Sequence, residues 1–199
     1  RDDASVLSMI RGADAVVNCV GVLNSVGANT FDAVQAEGAG RIARIAAEEG
    51  VGTLVHISAI GADAASDSDY SRTKGEGEAA VLAAFPTAMI LRPSVIFGTE
   101  DHFFNRFAGM TRMGPLLPIV GANTKFQPVP VDDVARAAVK VVTGEAAPGV
   151  YELGGPEADS LRGLMGRMLH VVQRRRAVIN MPFFLARIIG FGFDMVQAA

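Results

Sequence analysis

One cysteine and three histidines in 199 residues are too few soft ligands for a disulfide framework or a zinc cluster. The single thiol, Cys19, lies in an apolar run and reads as a reduced core cysteine. Positive charge is not in excess: 18 Lys and Arg stand against 21 Asp and Glu, a net charge of -3, which argues against nucleic acid as a partner. No internal repeat or low-complexity tract is present. No secretory segment is visible either, because the chain opens Arg1-Asp2-Asp3 without an apolar stretch. The longest apolar run, from Ala177 to Phe193, is interrupted by Pro182, Arg187, Gly190 and Gly192, too often for a membrane-spanning helix.

What remains is a composition for a buried sheet, 50% hydrophobic and 20% charged, long enough for one domain with a large core and a small appendage. Ala15 to Val20 reads as a strand. Phe31, Val34, Ile42 and Ile45 recur at helical spacing, and Gly50 closes that helix. Thr53 to Ser58 is a second strand, Ala59 to Asp69 a loop, and Tyr70 to Ala84 a helix stopped by Phe85-Pro86. Thr87 to Arg92 is a third strand. Alternating strands and helices predict an α/β fold with a parallel sheet and helices on both faces.

Further along, Asp101 to Met113 predicts a short helix, Gly114 to Pro118 a turn-rich loop, and Phe126 to Val131 an extended segment marked as irregular by two prolines. Asp132 is expected to cap a helix from Asp133 to about Thr143, where Asp133 and Arg136 pair locally. Val150 to Leu153 is a last strand. From Ser160, an expected N-cap, Leu161, Leu164, Met165, Met168, Leu169 and Val172 form a helical apolar stripe. Residues 160–199 hold six arginines, one acid and no lysine, a net of +5, leaving -8 on the rest. This division predicts a main domain over 1–158 and a helical C-terminal segment over 159–199. The segment either packs as a small subdomain or lies, flanked by Arg174-Arg175-Arg176, on an anionic membrane surface or a membrane protein.

The chemistry concentrates in three residues. Ser58 ends a strand, and Tyr70 and Lys74 stand one turn apart on the following helix. An ammonium near a phenol favours the phenolate and should lower the Tyr70 pKa. A serine hydroxyl nearby could hold a substrate oxygen within reach of that phenol. These are the groups needed to move a proton on or off an alcohol or carbonyl while a cofactor moves the hydride. His56 shares a strand face with Ser58 and reads as a core histidine, while His102 reads as an exposed loop residue.

With Asn18-Cys19-Val20-Gly21 at one strand end and Arg92-Pro93-Ser94-Val95 at another, the chain resembles the short-chain dehydrogenase/reductase superfamily in its extended or atypical branch. Phe126 to Ala135 and Tyr151 to Pro156 add to the match. The resemblance implies a Rossmann-like fold and a cofactor, NADP or NAD. It makes Ser58, Tyr70 and Lys74 the catalytic set. Asn18, Gly21, Lys74, Pro93, Ser94 and Val95 become the cofactor-binding set, with no metal. Asn18 to Leu23, His56 to Ala62 and the arginine-rich link to Met181-Pro182-Phe183 further resemble the nucleotide-binding accessory subunit of respiratory complex I and its bacterial, epimerase/dehydratase-like relatives. That branch implies a holder of the dinucleotide, cytoplasmic in a bacterium and peripheral to the inner membrane, with complex I or the membrane surface as partner through residues 160–199. The alternative is a soluble oxidoreductase or epimerase using Tyr70 as acid/base on a sugar nucleotide or a keto/hydroxy compound. The superfamily's glycine-rich turn and its NAD-versus-NADP selector have no counterpart here. The chain thus resembles a member lacking its first three strands, either part of a larger protein or a degenerate domain that completes its sheet with a partner, and in both cases it is expected to bind a dinucleotide poorly alone.

Overall fold

The computed structural model describes residues 2–182. In chain order, α1 (Asp3–Ile10) leads to β1 (Ala15–Asn18), and a π-helical run, Asp32–Glu37, continues into α2 (Gly38–Glu48). Then follow β2 (Thr53–Ile57), α3 (Asp69–Ala84) and β3 (Met89–Pro93). The chain continues through β4 (Ile96–Phe97), α4 (Phe104–Met110), β5 (Leu116–Val120), β6 (Lys125–Phe126) and β7 (Val129–Pro130). It completes with α5 (Val131–Val142), β8 (Gly149–Leu153), β9 (Asp159–Ser160), α6 (Leu161–Val171) and β10 (Ala177–Met181).

The described residues form two compact units: 2–94 with 131–154, and 95–130 with 155–182. This division differs from the expected partition at 158. Residues 95–130 join the C-terminal segment because β6 pairs with β9, and Phe103, Phe104 and Phe107 pack with α6.

The first unit is the expected Rossmann-like layer. Its four strands run parallel in the order β1-β2-β3-β8. Successive side chains of a strand point to opposite faces. Leu54 and Ile90 accordingly pack with Ala39, Ala43 and Ala46 of α2 and Val81 of α3. Val55, Met89 and Leu91 pack on the other face with Ala138 and Val141 of α5. Burial on both faces explains why these strands read as continuous apolar runs. Gly50, with φ +72°, closes α2 in a Schellman arrangement, Val51 N–H donating to Ala46 O and Gly50 N–H to Ala47 O. α3 approaches its neighbours at backbone distance: a Cβ on Gly75 would collide with the Ala64 amide, and one on Gly77 with the Gln35 carbonyl. β1 lies at a sheet edge, and Cys19, just past its end, is exposed rather than a core thiol.

In the second unit, Leu117 and Ile119 of β5 meet Leu164, Met165, Met168 and Leu169 of α6, the stripe expected from the sequence. Ser160 caps α6 as expected, its hydroxyl accepting from Gly163 N–H at 3.1 Å. Three elements differ from expectation. The 114–118 loop is largely strand, since Leu116–Val120 pairs in parallel with β10. Pro118 is tolerated because β5 is hydrogen-bonded to one neighbour among the described residues. The apolar run after the arginines begins as that strand β10, not as a helix. Arg174 and Arg176 turn toward the C-terminal end of α4. Arg174 donates to Ala108 O at 2.9 Å and Thr111 Oγ1 at 2.6 Å, and Arg176 to Thr111 O at 2.9 Å. The remainder of the apolar run, from residue 183 onward, lies outside the described residues. No described helix is long and apolar enough to cross a membrane.

Two shorter differences complete the picture. α1 was not legible as a helix, although Asp2 caps it by accepting from Ala4 and Ser5 amides at 3.3 and 3.2 Å. α5 starts at Val131, placing Asp132 in its first turn rather than at its cap, while Arg136 and Asp133 pair as expected.

Candidate functional site

Parallel pairing brings the carboxyl ends of β1, β2 and β3 to one edge of the sheet. Asn18 ends β1, Ser58 follows β2, and Pro93 ends β3, followed by Ser94. In doubly wound sheets such an edge is where ligands are held.

Lys74 is the centre of this edge. Its helix carries it over the end of β2, where its ammonium donates to Ile57 O at 3.2 Å. It is 6% exposed, and burial holds its pKa below the ordinary lysine value, with the Glu78 carboxylate opposing. A Cβ placed on Gly21 would lie 3.4 Å from Lys74 Nζ, so the chain after β1 passes directly against the ammonium. Ser58 is 4% exposed. Its amide donates to Leu91 O at 2.7 Å, and its hydroxyl has no hydrogen-bond partner among the described residues. A buried hydroxyl without a partner costs free energy unless a ligand or water completes it. The structure thus brings Lys74 against Gly21 and against the carbonyl of Ile57, the residue before Ser58.

Tyr70 stands one turn before Lys74, half-buried, its ring edge-on to Phe31 with centroids 6.0 Å apart. Burial pushes its phenol pKa up. The expected depression by Lys74 is absent from this structure, since that ammonium is turned to the Ile57 carbonyl.

Asn18 is buried, with a partner at each side-chain polar atom: its Nδ2 lies 3.0 Å from His56 Nδ1, and its Oδ1 accepts from Val20 N–H at 3.0 Å. It braces the strand end. Pro93 O accepts from Ile60 N–H at 3.0 Å, and Ser94 N–H donates to Leu153 O at 2.8 Å. Val95 belongs to the second unit, where its carbonyl accepts from Val129 N–H at 3.0 Å. Of the backbone groups at 93–95, these are already used within the fold. His102 is exposed, as expected.

Two features went unread in the sequence. His56 is a core histidine, but only half satisfied: Nδ1 faces Asn18, and Nε2 has no partner among the described residues. Burial, reinforced by the Lys74 charge, lowers its pKa to about 4 against the opposing pull of Glu78. Glu78, one turn beyond Lys74, is buried and paired with Arg92 through contacts of 2.6 and 2.9 Å. A buried pair of this geometry holds α3 against β3. The helical spacing of Lys74 and Glu78 was the available signal, but it does not reveal the partner on β3.

Comparison with known proteins adds the decisive observation: residues 2–176 match the family model described as RmlD substrate binding domain. The chain belongs to this RmlD family. The resemblance to extended short-chain dehydrogenases/reductases therefore stands. Among curated relatives, the "NADH dehydrogenase [ubiquinone] 1 alpha subcomplex subunit 9, mitochondrial" of Arabidopsis thaliana is 32% identical over 94% of this chain and 48% of its own length. The "NADH-ubiquinone oxidoreductase 40 kDa subunit, mitochondrial" of Neurospora crassa is 30% identical over 92% and 48%. This RmlD-family chain thus spans about half the length of these relatives. Among solved structures, a dTDP-4-dehydrorhamnose reductase of Bacillus anthracis in complex with NADP superposes with TM-score 0.77 at 16% identity, covering 92% of this chain and 71% of that one. At that identity the likeness establishes the Rossmann-like fold.

Proposed function

We propose that this chain forms the nicotinamide-facing part of an NAD(P)-binding protein of the atypical short-chain dehydrogenase/reductase type, one that serves respiratory complex I as an accessory subunit. The observation that carries the reading is the buried Lys74 ammonium at the carboxyl edge of the sheet. An ammonium has three donors, and the Ile57 bond uses one. The others would hold ribose hydroxyls of NADP or NAD. Gly21 leaves room for that approach, and the unpartnered Ser58 hydroxyl would bond an oxygen or amide of the ligand. The bound dinucleotide would supply hydride transfer. The complex I relatives and the NADP-bound reductase support the cofactor and the partner. A bacterial protein of this kind would sit at the cytoplasmic side of the inner membrane.

Lys74→Met in the full-length protein should weaken dinucleotide binding by about tenfold or more in titration calorimetry, the worth of a charged hydrogen bond. Unchanged affinity overturns the reading. Co-fractionation of the full-length protein with complex I tests the partner, and its absence from that fraction counts against it.

A second reading, turnover of a keto/hydroxy compound or sugar nucleotide, draws on the buried, unpartnered Ser58 hydroxyl beside this edge. It expects Tyr70→Phe to abolish turnover while leaving cofactor affinity within about twofold. The holder reading expects the same binding result with no turnover in either form on a panel of carbonyl substrates.

A further inference from the structure

The second unit contains a cavity of about 460 Å³, within the range of small-molecule sites. Its walls are Phe97 from β4, Phe104 and Ala108 from α4, and Leu164, Met168 and Val171 from α6. Val171 is 77% exposed, so the apolar wall continues out to solvent.

The polar groups at its rim are already engaged. Asp101 accepts from the Phe104 amide at 2.6 Å and faces the Gly98 amide at 3.4 Å. Asn105 donates to Thr99 O at 3.0 Å. Arg167, the one cation among the lining residues, is paired with Glu157 at 3.0 Å and Asp159 at 3.2 Å. With Asp101 and Glu157 against Arg167, the lining carries a net charge of -1. A phosphate or diphosphate would meet net negative charge and an arginine it must take from two carboxylates. An aliphatic chain would find apolar wall along the cavity and would leave no polar group unpaired.

We propose that this cavity binds a straight hydrocarbon chain, the acyl or alkyl part of a lipid-like molecule, and not a sugar phosphate. The proposal is independent of the dinucleotide reading, since every lining residue lies in the second unit. Affinity then comes from apolar area and grows with chain length, by about fourfold per methylene until the cavity is filled.

The test is displacement of a fluorescent straight-chain acyl probe from the full-length protein. A homologous series of unbranched alcohols should displace it with that length dependence. Inorganic pyrophosphate and a nucleoside-diphosphate sugar should not displace it. Val171→Glu, at an exposed position, and Ala108→Phe, which fills the cavity, should each weaken the probe at least about tenfold with the far-ultraviolet helix signal unchanged. Should Ala108→Phe fail to fold, Val171→Glu alone decides. Arg167→Gln should leave probe affinity within about twofold. Supplying the probe from water or from phosphatidylcholine vesicles separates a free aliphatic ligand from a bilayer lipid, and the variants should lose binding in whichever arm shows it. A flat length series, displacement by pyrophosphate that Arg167→Gln abolishes, or full binding by Val171→Glu would each overturn the proposal.

Discussion

His56 shows how one buried side chain couples this site to pH. Its folded pKa of about 4 lies below the ordinary value of 6.5, so the folded state prefers the neutral ring. Between those values the unfolded chain binds the proton and the folded one does not, so stability rises with pH across that interval. The contribution is complete above about pH 6.5 and disappears as pH falls to about 4, an amount of roughly 3 kcal/mol. His56→Gln should therefore flatten the wild-type stability slope between those limits, read as the difference between the two proteins' urea midpoints at each pH. The same ring explains a limit of sequence reading. Alternation along Thr53–Ile57 places His56 inside, but the Asn18 partner stands on β1 and the Lys74 charge on α3. Only parallel pairing of those strands joins them.

At the level of elements, legibility followed periodicity. α6 and the strands at 15–18, 53–57 and 89–93 carry apolar patterns, α3 has a clear stop at Phe85-Pro86, and they were readable. β5 was not, because Gly114, Pro115 and Pro118 mimic a turn, and its partner β10 is far along the chain. A strand end followed by a helix was readable, and Lys74 of that helix reaches the Ile57 carbonyl at the end of β2. The Tyr70 environment was not readable, because its Phe31 neighbour lies far along the chain and the Lys74 ammonium turns to Ile57 O. The arginine triplet is the clearest case of composition misleading. Arg174 and Arg176 supply donors and positive charge to the C-terminal end of α4, where carbonyls lack helical partners. Arg174→Ala should lower stability by about 1.5–3 kcal/mol in urea unfolding, as loss of charged hydrogen bonds predicts, with Arg174→Lys recovering part of it.

For the whole molecule, the +5 carried by residues 160–199 overstates what a membrane would meet. Arg167 is matched by two carboxylates, and Arg174 and Arg176 face a helix terminus. Adding anionic lipid to neutral vesicles should raise association of the protein less than about tenfold in flotation. Five free arginines at about 1 kcal/mol each would give several-thousandfold. The interleaving of the two units has a different consequence, for the order of assembly. β3 finds its neighbour β8 only after residues 95–130 have been made, so a nascent chain ending anywhere before Leu153 leaves the sheet one strand short. Translation therefore delivers a half-finished edge and then an excursion before closure. The waiting β3 flank, not the finished protein, is the form that a ribosome-associated chaperone would need to shield.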